Sequence, residues 1–190
     1  MAFVNNNFNG NNGNQQSDKP KTNFKLGRIW GDDGKLDIST WNADTGPRIM
    51  IGITRALGKD PDTGAATYEQ KKPNELPRFF MNADRIRAFI ERCDGVDPST
   101  INFTMEGSGS KLIVQGCETN VKITIESQKQ GTRTITIGAV NLGGVYVHAG
   151  FKNMIDLMKI GHKKALYSKI DPDEFAVALG SANDDNAPFE

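Results

Sequence analysis

The stretch KLDISTW at residues 35–41 places a lysine and a tryptophan where both could contact one ligand. Apolar residues alternate with the others, so a strand here would turn Lys35 and Trp41 to the same face. A lysine contacts phosphate, and an exposed indole ring stacks on an unpaired base. The pair therefore predicts a surface for single-stranded nucleic acid, while a place for Trp41 in the core or at its rim is the open alternative.

The first half of the chain adds further basic and aromatic residues of this kind. Phe24, Tyr68, Phe79 and Phe80 supply additional rings. For any single lysine or arginine a solvated face is the alternative, so the prediction depends on the cluster. Trp30 belongs to the set, although burial is its favoured interpretation. The candidate nucleic-acid-binding residues are Lys25, Arg28, Trp30, Lys35, Trp41, Arg48, Arg55, Lys71, Lys72 and Arg78.

No motif in the sequence indicates a catalytic or metal site. GSGSK at 107–111 departs from the spacing of a phosphate-binding loop and reads as a hairpin turn. A calcium loop that starts at Asp60 would need a glutamate where Lys71 stands. His148 and His162 have no accompanying ligand or triad pattern. We therefore predict no catalytic residues, no metal and no cofactor; a small enzyme with a scattered site is a third alternative.

The elements that must position these residues begin with strands. Asp32 and Asp33 form a solvated turn between the first two strands, and Asn82 can cap the first helix. Two prolines within 67–81 favour an edge strand there. The predicted elements of this half are strands at 23–30, 35–41, 48–57 and 67–81, followed by a helix at 83–93.

The second half repeats this order of strands followed by a helix. The predicted strands are 101–106, 111–116, 120–127, 132–140 and 145–149, and the predicted helix is 151–168. We therefore predict an α+β fold in which antiparallel sheets are each followed by a helix, twice along the chain.

Composition divides the chain into three parts. Residues 5–16 are nearly all Asn, Gln and Gly, which predicts a disordered arm over 1–20. Residues 21–170 form the predicted binding domain. A short helix and a disordered acidic tail are predicted over 171–190. Charge follows the same division, because residues 19–169 hold 23 bases and 16 acids, whereas residues 171–190 hold six acids and no base.

The acidic tail has a predicted role beside the basic body. Tethered to the chain, it could occupy the basic groove weakly and be displaced by nucleic acid. Asp184 and Asp185 would supply the charge, and Pro188 and Phe189 would then engage a partner protein. A solubilising end is the alternative interpretation.

Cysteine use and hydropathy bound the class of protein. Cys93 and Cys117 make neither a disulfide framework nor a metal set, so we expect buried thiols in a cytoplasmic protein. The sequence contains no apolar run of membrane-spanning length and no secretory signal pattern, so no membrane association is expected.

The tail resembles the acidic tips of bacterial and phage single-stranded DNA-binding proteins, in which several aspartates precede a Pro-Phe pair. It departs from them because Glu190 follows Phe189. Residues 24–53, FKLGRIWGDDGKLDISTWNADTGPRIMIGI, are similar in style to the Whirly and positive-cofactor-four superfamily, without a diagnostic Whirly motif. The resemblance implies curved antiparallel sheets, each followed by a helix, that bind single-stranded DNA. An OB-fold barrel is the competing scaffold.

The sequence thus predicts a non-enzymatic protein that coats or protects single-stranded DNA during replication, recombination or repair. RNA is the alternative strand. Replication or recombination proteins would be recruited through the tail, and a homo-oligomer is compatible with the sequence. A virion structural or assembly protein is the alternative function, and binding of an oligonucleotide separates the two.

Overall fold

The computed structural model describes residues 25–43 and 46–167, which form strands, a helix, further strands and a second helix. The first part consists of β1 (Lys25–Gly31), β2 (Gly34–Ala43), β3 (Gly46–Lys59), β4 (Ala66–Tyr68), β5 (Arg78–Met81) and α1 (Ala83–Cys93). The second consists of β6 (Asn102–Glu106), β7 (Ser110–Gly116), β8 (Asn120–Ser127), β9 (Gly131–Gly138), β10 (Val140–Leu142), β11 (Val145–Val147) and α2 (Ala149–Tyr167). The predicted α+β class is confirmed.

The first sheet is built around the long strand β3. Strands β1, β2 and β3 pair in sequence, and β4 and β5 pair with opposite ends of the other edge of β3, all antiparallel. The segment predicted over 67–81 lies at the edge of the sheet as expected, but the prediction of one continuous strand is wrong, because it forms two short strands. A short 3-10 turn at Pro73–Glu75 separates β4 from β5, because a proline offers no N–H to continue a ladder.

The second sheet is a four-stranded meander in the order β6, β7, β8, β9, and β10 and β11 form a separate hairpin. Residues 107–109 are the turn between β6 and β7, as predicted. Asp60 accepts hydrogen bonds from the backbone N–H groups of Asp62 and Thr63, which makes 60–64 the predicted turn. Within the described ranges neither sheet closes into a barrel, so the OB-fold scaffold has no support.

One hydrophobic core joins both sheets and both helices. Strand alternation places Leu36 and Ile38 of β2 beside Ile49, Ile51 and Ile53 of β3, all fully buried. The inner face of the second sheet contributes residues such as Leu112, Val114, Val121, Ile123, Ile125, Ile135 and Ile137. Both sheets therefore cover the core with one face and leave the other face toward solvent.

The helices connect the two parts. The side chain of Asn82 accepts a hydrogen bond from the N–H of Arg85 at 3.0 Å, which confirms the predicted cap of α1. Phe89 of α1 packs edge-to-face against Phe103 of β6. Gly161 of α2 lies so close to Ile49 that any side chain there would collide with it. Each helix therefore contacts the sheet of the other part.

The turn between β1 and β2 is joined to the second sheet. The N–H of Asp32 donates to the carbonyl of Thr136 at 3.0 Å, and the N–H of Thr136 donates to the Asp33 carboxylate at 2.9 Å. The predicted solvated turn at Asp32 and Asp33 is confirmed, because both residues are exposed between β1 and β2. Their hydrogen bonds to Thr136 additionally satisfy backbone groups on the open edge of β9, which fixes the two sheets relative to each other.

Two further predictions are settled by burial. Cys93 is buried as expected, and burial raises the pKa of its thiol to about 12. Cys117 was predicted to be buried and is exposed, because it follows the end of β7 on a turn.

No helix in the described part of the chain is long and apolar enough to cross a membrane. The arm at 1–20, Phe24 and the predicted helix and tail after residue 170 lie outside the described residues.

Candidate nucleic-acid interface

The outer face of the first sheet brings most of the predicted residues together. Because partners in antiparallel strands lie side by side, the strand register arranges this face in four rows. The rows are, in order, Trp30, Lys35 and Thr54; then Arg28, Asp37, Gly52 and Arg78; then Lys25, Ser39, Met50 and Phe80; and finally Trp41 and Arg48.

A groove of about 380 Å³ runs over the middle of this face. Its floor is formed by Met50, Gly52 and Thr54, the outward residues of β3. Gly52 adds no side chain to the floor, and the stem of Arg78 lies next to it. One wall consists of Lys25, Arg28, Lys35, Asp37 and Ser39, and the other of Glu69, Lys71, Leu76 and Arg78.

The first and the last of the four rows each contain an exposed tryptophan. Trp30 is 57% exposed and lies 5.8 Å from the ring of Tyr68, while Trp41 is 37% exposed and lies 5.9 Å from Phe80. The favoured interpretation of Trp30 as a buried residue is therefore wrong, because it shares the outward parity of Arg28 on β1. We call these two pairs the aromatic platforms. Each pairs an exposed tryptophan with a second ring, tilted for Trp30 and Tyr68 and edge-to-face for Trp41 and Phe80.

The centre of the face holds a carboxylate between two cations. Asp37 accepts two hydrogen bonds from Arg28, Nε to Oδ1 at 2.8 Å and Nη2 to Oδ2 at 3.2 Å, and Lys25 Nζ lies 2.8 Å from Oδ1. The Arg28 guanidinium also lies 5.2 Å from the ring centroid of Trp30. Asp37 thus fixes the guanidinium plane beside a platform, and the free edge of that plane can still donate to another anion.

Among the described residues, two other cations of this face, Lys35 and Arg78, form no direct ion pair with a carboxylate. Lys35 Nζ lies 4.2 Å above the ring of Tyr68. Burial and the charge of Arg28 lower the pKa of Lys35, although Asp37 opposes this. Burial lowers the pKa of Arg78 as well. Cations that are partly desolvated and crowded by like charge would gain free energy from a bound anion.

The far wall is held by a bridge to the second sheet. Arg133 of β9 donates from Nε and Nη2 to the two carboxylate oxygens of Glu69, both at 3.1 Å. Glu69 also accepts from the N–H of Arg55, and Lys71 Nζ lies 4.0 Å from it. Burial alone would raise the pKa of Glu69, but the hydrogen bonds from Arg133 and Arg55 outweigh it and lower the pKa. Glu69 therefore acts as a structural anchor of the wall.

The remaining predicted residues fall outside the groove or outside the described chain. Arg55 lies on the same face of β3 as Ile51 and Ile53. It therefore projects to the side opposite the groove, past the end of the core. Lys72 is exposed and precedes the short turn at Pro73–Glu75. The tail residues Asp184, Asp185, Pro188 and Phe189 lie outside the described residues.

Sequence reasoning missed the acidic contacts of this site. Strand alternation places Asp37 on the same face as Lys35 and Ser39, as expected, but the sequence did not indicate its ion pair with Arg28. The bond between Glu69 and Arg133 joins residues 64 positions apart and has no local signal. Met50 and Gly52 lie in the floor of the groove because β3 pairs with β2 on one side and β5 on the other, which the local sequence does not show.

The outer face of the second sheet lacks these features. Strands β6 to β9 present no aromatic residue on this face, and Lys111 and Lys122 there are balanced by Glu106 and Glu126. In the part of the chain that the structure describes, no group of three or more side chains could hold a metal ion. This second face therefore serves as an internal control for the first.

Comparison with known proteins gives no match, either to a family model or to a curated protein. A proposed function therefore rests on the geometry of the first sheet alone.

Proposed function

We propose that this protein binds single-stranded nucleic acid, DNA in the first place, on the outer face of its first sheet, without catalysis. The observation that carries the proposal is the set of four rows, with an exposed tryptophan at each end and cations between them. Cations along a groove attract a polyanion, and aromatic faces bind unpaired bases without regard to sequence. RNA offers the same phosphates and bases and is the alternative strand.

The spacing of the rows favours an unpaired strand over a duplex. Rows on one face are two residues apart along a strand, which is about 7 Å. This is about twice the 3.4 Å rise per phosphate of a duplex strand, so it suits a strand whose bases are drawn apart. In a duplex the bases are paired and stacked, and the tryptophans would find no free base face.

The proposal includes a biological role and a finer fold. The protein would coat or protect unpaired strands in replication, recombination or repair, and recruit partner proteins through Asp184, Asp185, Pro188 and Phe189. The order of strands, helix, strands and helix supports a Whirly-like arrangement with curved sheets. The site as proposed requires no cofactor, metal or membrane, and a homo-oligomer is compatible with it.

A second candidate function is a structural or assembly protein of a virion. The hairpin β10–β11 favours it, because cross-strand pairing places Val140, Leu142, Val145 and Val147 on one exposed apolar face. Exposed apolar surface of this kind is typical of protein contacts. An assembly protein of this kind would not need affinity for oligonucleotides.

Titration of the full chain into labelled oligothymidylate, followed by fluorescence anisotropy, tests the proposal. We expect tight binding at low salt, weaker binding to a duplex of the same length, and a linear fall of log affinity with log salt. The slope should be about −0.7 for each phosphate that the protein neutralises. An affinity that ignores salt, or equal affinity for duplex, would rule out this surface as proposed, and absence of binding would favour the assembly function.

A further inference from the structure

The layout of the residues that line the groove favours a path along β3. Its floor is a single column of outward β3 residues, and its walls come from β1 and β2 on one side and from the segment 69–78 on the other. A ligand that crossed the strands along the second row would have to pass over Asp37, a carboxylate that repels phosphate. A ligand that runs along β3 passes beside Asp37 and between the cations.

The aromatic platforms stand at the two ends of this path. Trp30 lies beside Lys35 of β2, and Trp41 is six residues farther along the same strand. Six residues of β-strand span about 20 Å, or three row intervals. Each platform has an arginine next to it: Arg28 lies near Trp30, and Arg48 is the cross-strand partner of Trp41.

We infer that one nucleic-acid strand lies along β3 and stacks bases on both platforms at once. The platform-to-platform distance then corresponds to on the order of four nucleotides, one for each row. Bases at the two ends stack on Trp30 and Trp41, while the phosphates between them lie against Arg28, Lys25 and Arg78. This inference rests on the proposed function and adds to it the path and the minimal length of the ligand.

The alternative arrangements predict a different dependence of affinity on oligonucleotide length. If the groove were a pocket for a single nucleotide, affinity would already be complete with a mononucleotide. If the two platforms bound separate strands, each would respond to short and long oligonucleotides alike. Only a strand shared by both platforms makes both tryptophans respond above the same minimal oligonucleotide length.

The two tryptophans are the only ones in the chain, and this permits a direct test. Trp30→Phe leaves Trp41 as the single indole, and Trp41→Phe leaves Trp30, while each change keeps a ring on its platform. Tryptophan fluorescence of each full-length variant is titrated with oligothymidylates of about one to eight nucleotides. Circular dichroism of both variants checks that the fold is retained.

We expect that oligonucleotides of about two nucleotides bind weakly and that affinity rises at least tenfold once the length reaches about four or five. Above that length both single-tryptophan variants should be quenched, with the same midpoint and one strand per chain. Quenching of only one tryptophan by tightly bound long oligonucleotides would overturn the shared path and leave the proposed function standing. Two strands per chain, or full affinity for a mononucleotide, would overturn it too. Failure of every oligonucleotide to bind would reject the path and the proposed function together.

Discussion

Arg28 and Asp37 are held together by two hydrogen bonds across β1 and β2, in the middle of the basic face. The carboxylate orients the guanidinium, but it also lowers the positive charge that a phosphate would meet. We expect charge to be the stronger effect, because the Arg28 side chain is also confined by the neighbouring ring of Trp30. If the proposed function holds, Asp37 should therefore weaken nucleic-acid binding.

Asp37→Asn should raise affinity for oligothymidylate a few-fold. The gain should be largest at low salt, where charge is least screened. One additional neutralised phosphate would steepen the salt slope by about 0.7. Glu106→Gln is the matched control, since it removes a carboxylate that is paired with Lys111 on the second sheet, and it should leave affinity unchanged. A loss of affinity in Asp37→Asn would mean that orientation of Arg28 outweighs charge.

Acid should remove the stabilisation that Asp37 gives to the fold. Burial by itself would raise the pKa of this carboxyl, but hydrogen bonds and charges from Arg28 and Lys25 outweigh it and lower the pKa. Because the folded pKa is below the unfolded one, the stabilisation is complete above about pH 4 and is lost as the pH falls through the folded pKa. Urea unfolding from pH 7 to about pH 3 should show the stability difference between wild type and Asp37→Asn shrinking. A difference that grows in acid would contradict the assignment.

The bridge between Glu69 and Arg133 should stabilise the fold more than an exposed ion pair does. The two side chains are only 10% and 16% exposed, and they join the groove wall to β9. Arg133→Met should lower the free energy of unfolding by about 2 kcal/mol, between the limits for exposed and buried pairs. Adding Glu69→Gln should recover part of that loss, because the unpaired charge is then gone.

The matched control for this bridge is the exposed pair of Lys152 and Asp156 on α2. Lys152→Met should change the free energy of unfolding by less than about 0.5 kcal/mol in the same urea experiment. Equal effects at the two pairs would show that the bridge adds nothing beyond surface charge.

Truncation after Gly180 should raise oligonucleotide affinity modestly at low salt. The removed segment contains Asp184, Asp185 and Glu190, and the body from residue 19 to 169 has an excess of seven positive charges. A tethered acidic peptide competes with nucleic acid, and the competition weakens as salt screens it. Asp184→Asn with Asp185→Asn should reproduce the gain, and Phe189→Ala should spare affinity while it abolishes partner recruitment. Unchanged affinity at low salt after truncation would refute the competitor role.

Much of the fold was predictable because local patterns agree with it. The alternation of Leu36 and Ile38, the Asn82 cap and the helical spacing of Phe151, Met154 and Met158 each reflect burial or capping that neighbouring residues determine. The split of 67–81 into two strands depended on which part of β3 each segment pairs with. Pro73 and Pro77 are a local signal for an interruption, but no local signal shows which part of β3 each segment pairs with.

The candidate site was only partly predictable for the same reason. Strand parity placed Lys35 and Trp41 on one face, as expected. Arg55 was included among the candidates because it is basic, although it lies on the same face of β3 as the buried Ile53. Trp30 was expected in the core because indoles bury large apolar area, yet its parity on β1 follows Arg28, which faces outward. The contact of Asp33 with Thr136 required the second sheet, 103 residues away.

The most direct test of the central claim compares oligothymidylate affinity after changes to the two outer faces. Trp30→Ala and Trp41→Ala should each weaken binding by about 1–3 kcal/mol, with little change in melting temperature, since both rings are exposed. Lys111→Ala with Lys122→Ala on the second sheet should leave affinity nearly unchanged. Wild-type affinity in both tryptophan variants, or an equal loss from the lysine changes, would contradict binding on the outer face of the first sheet.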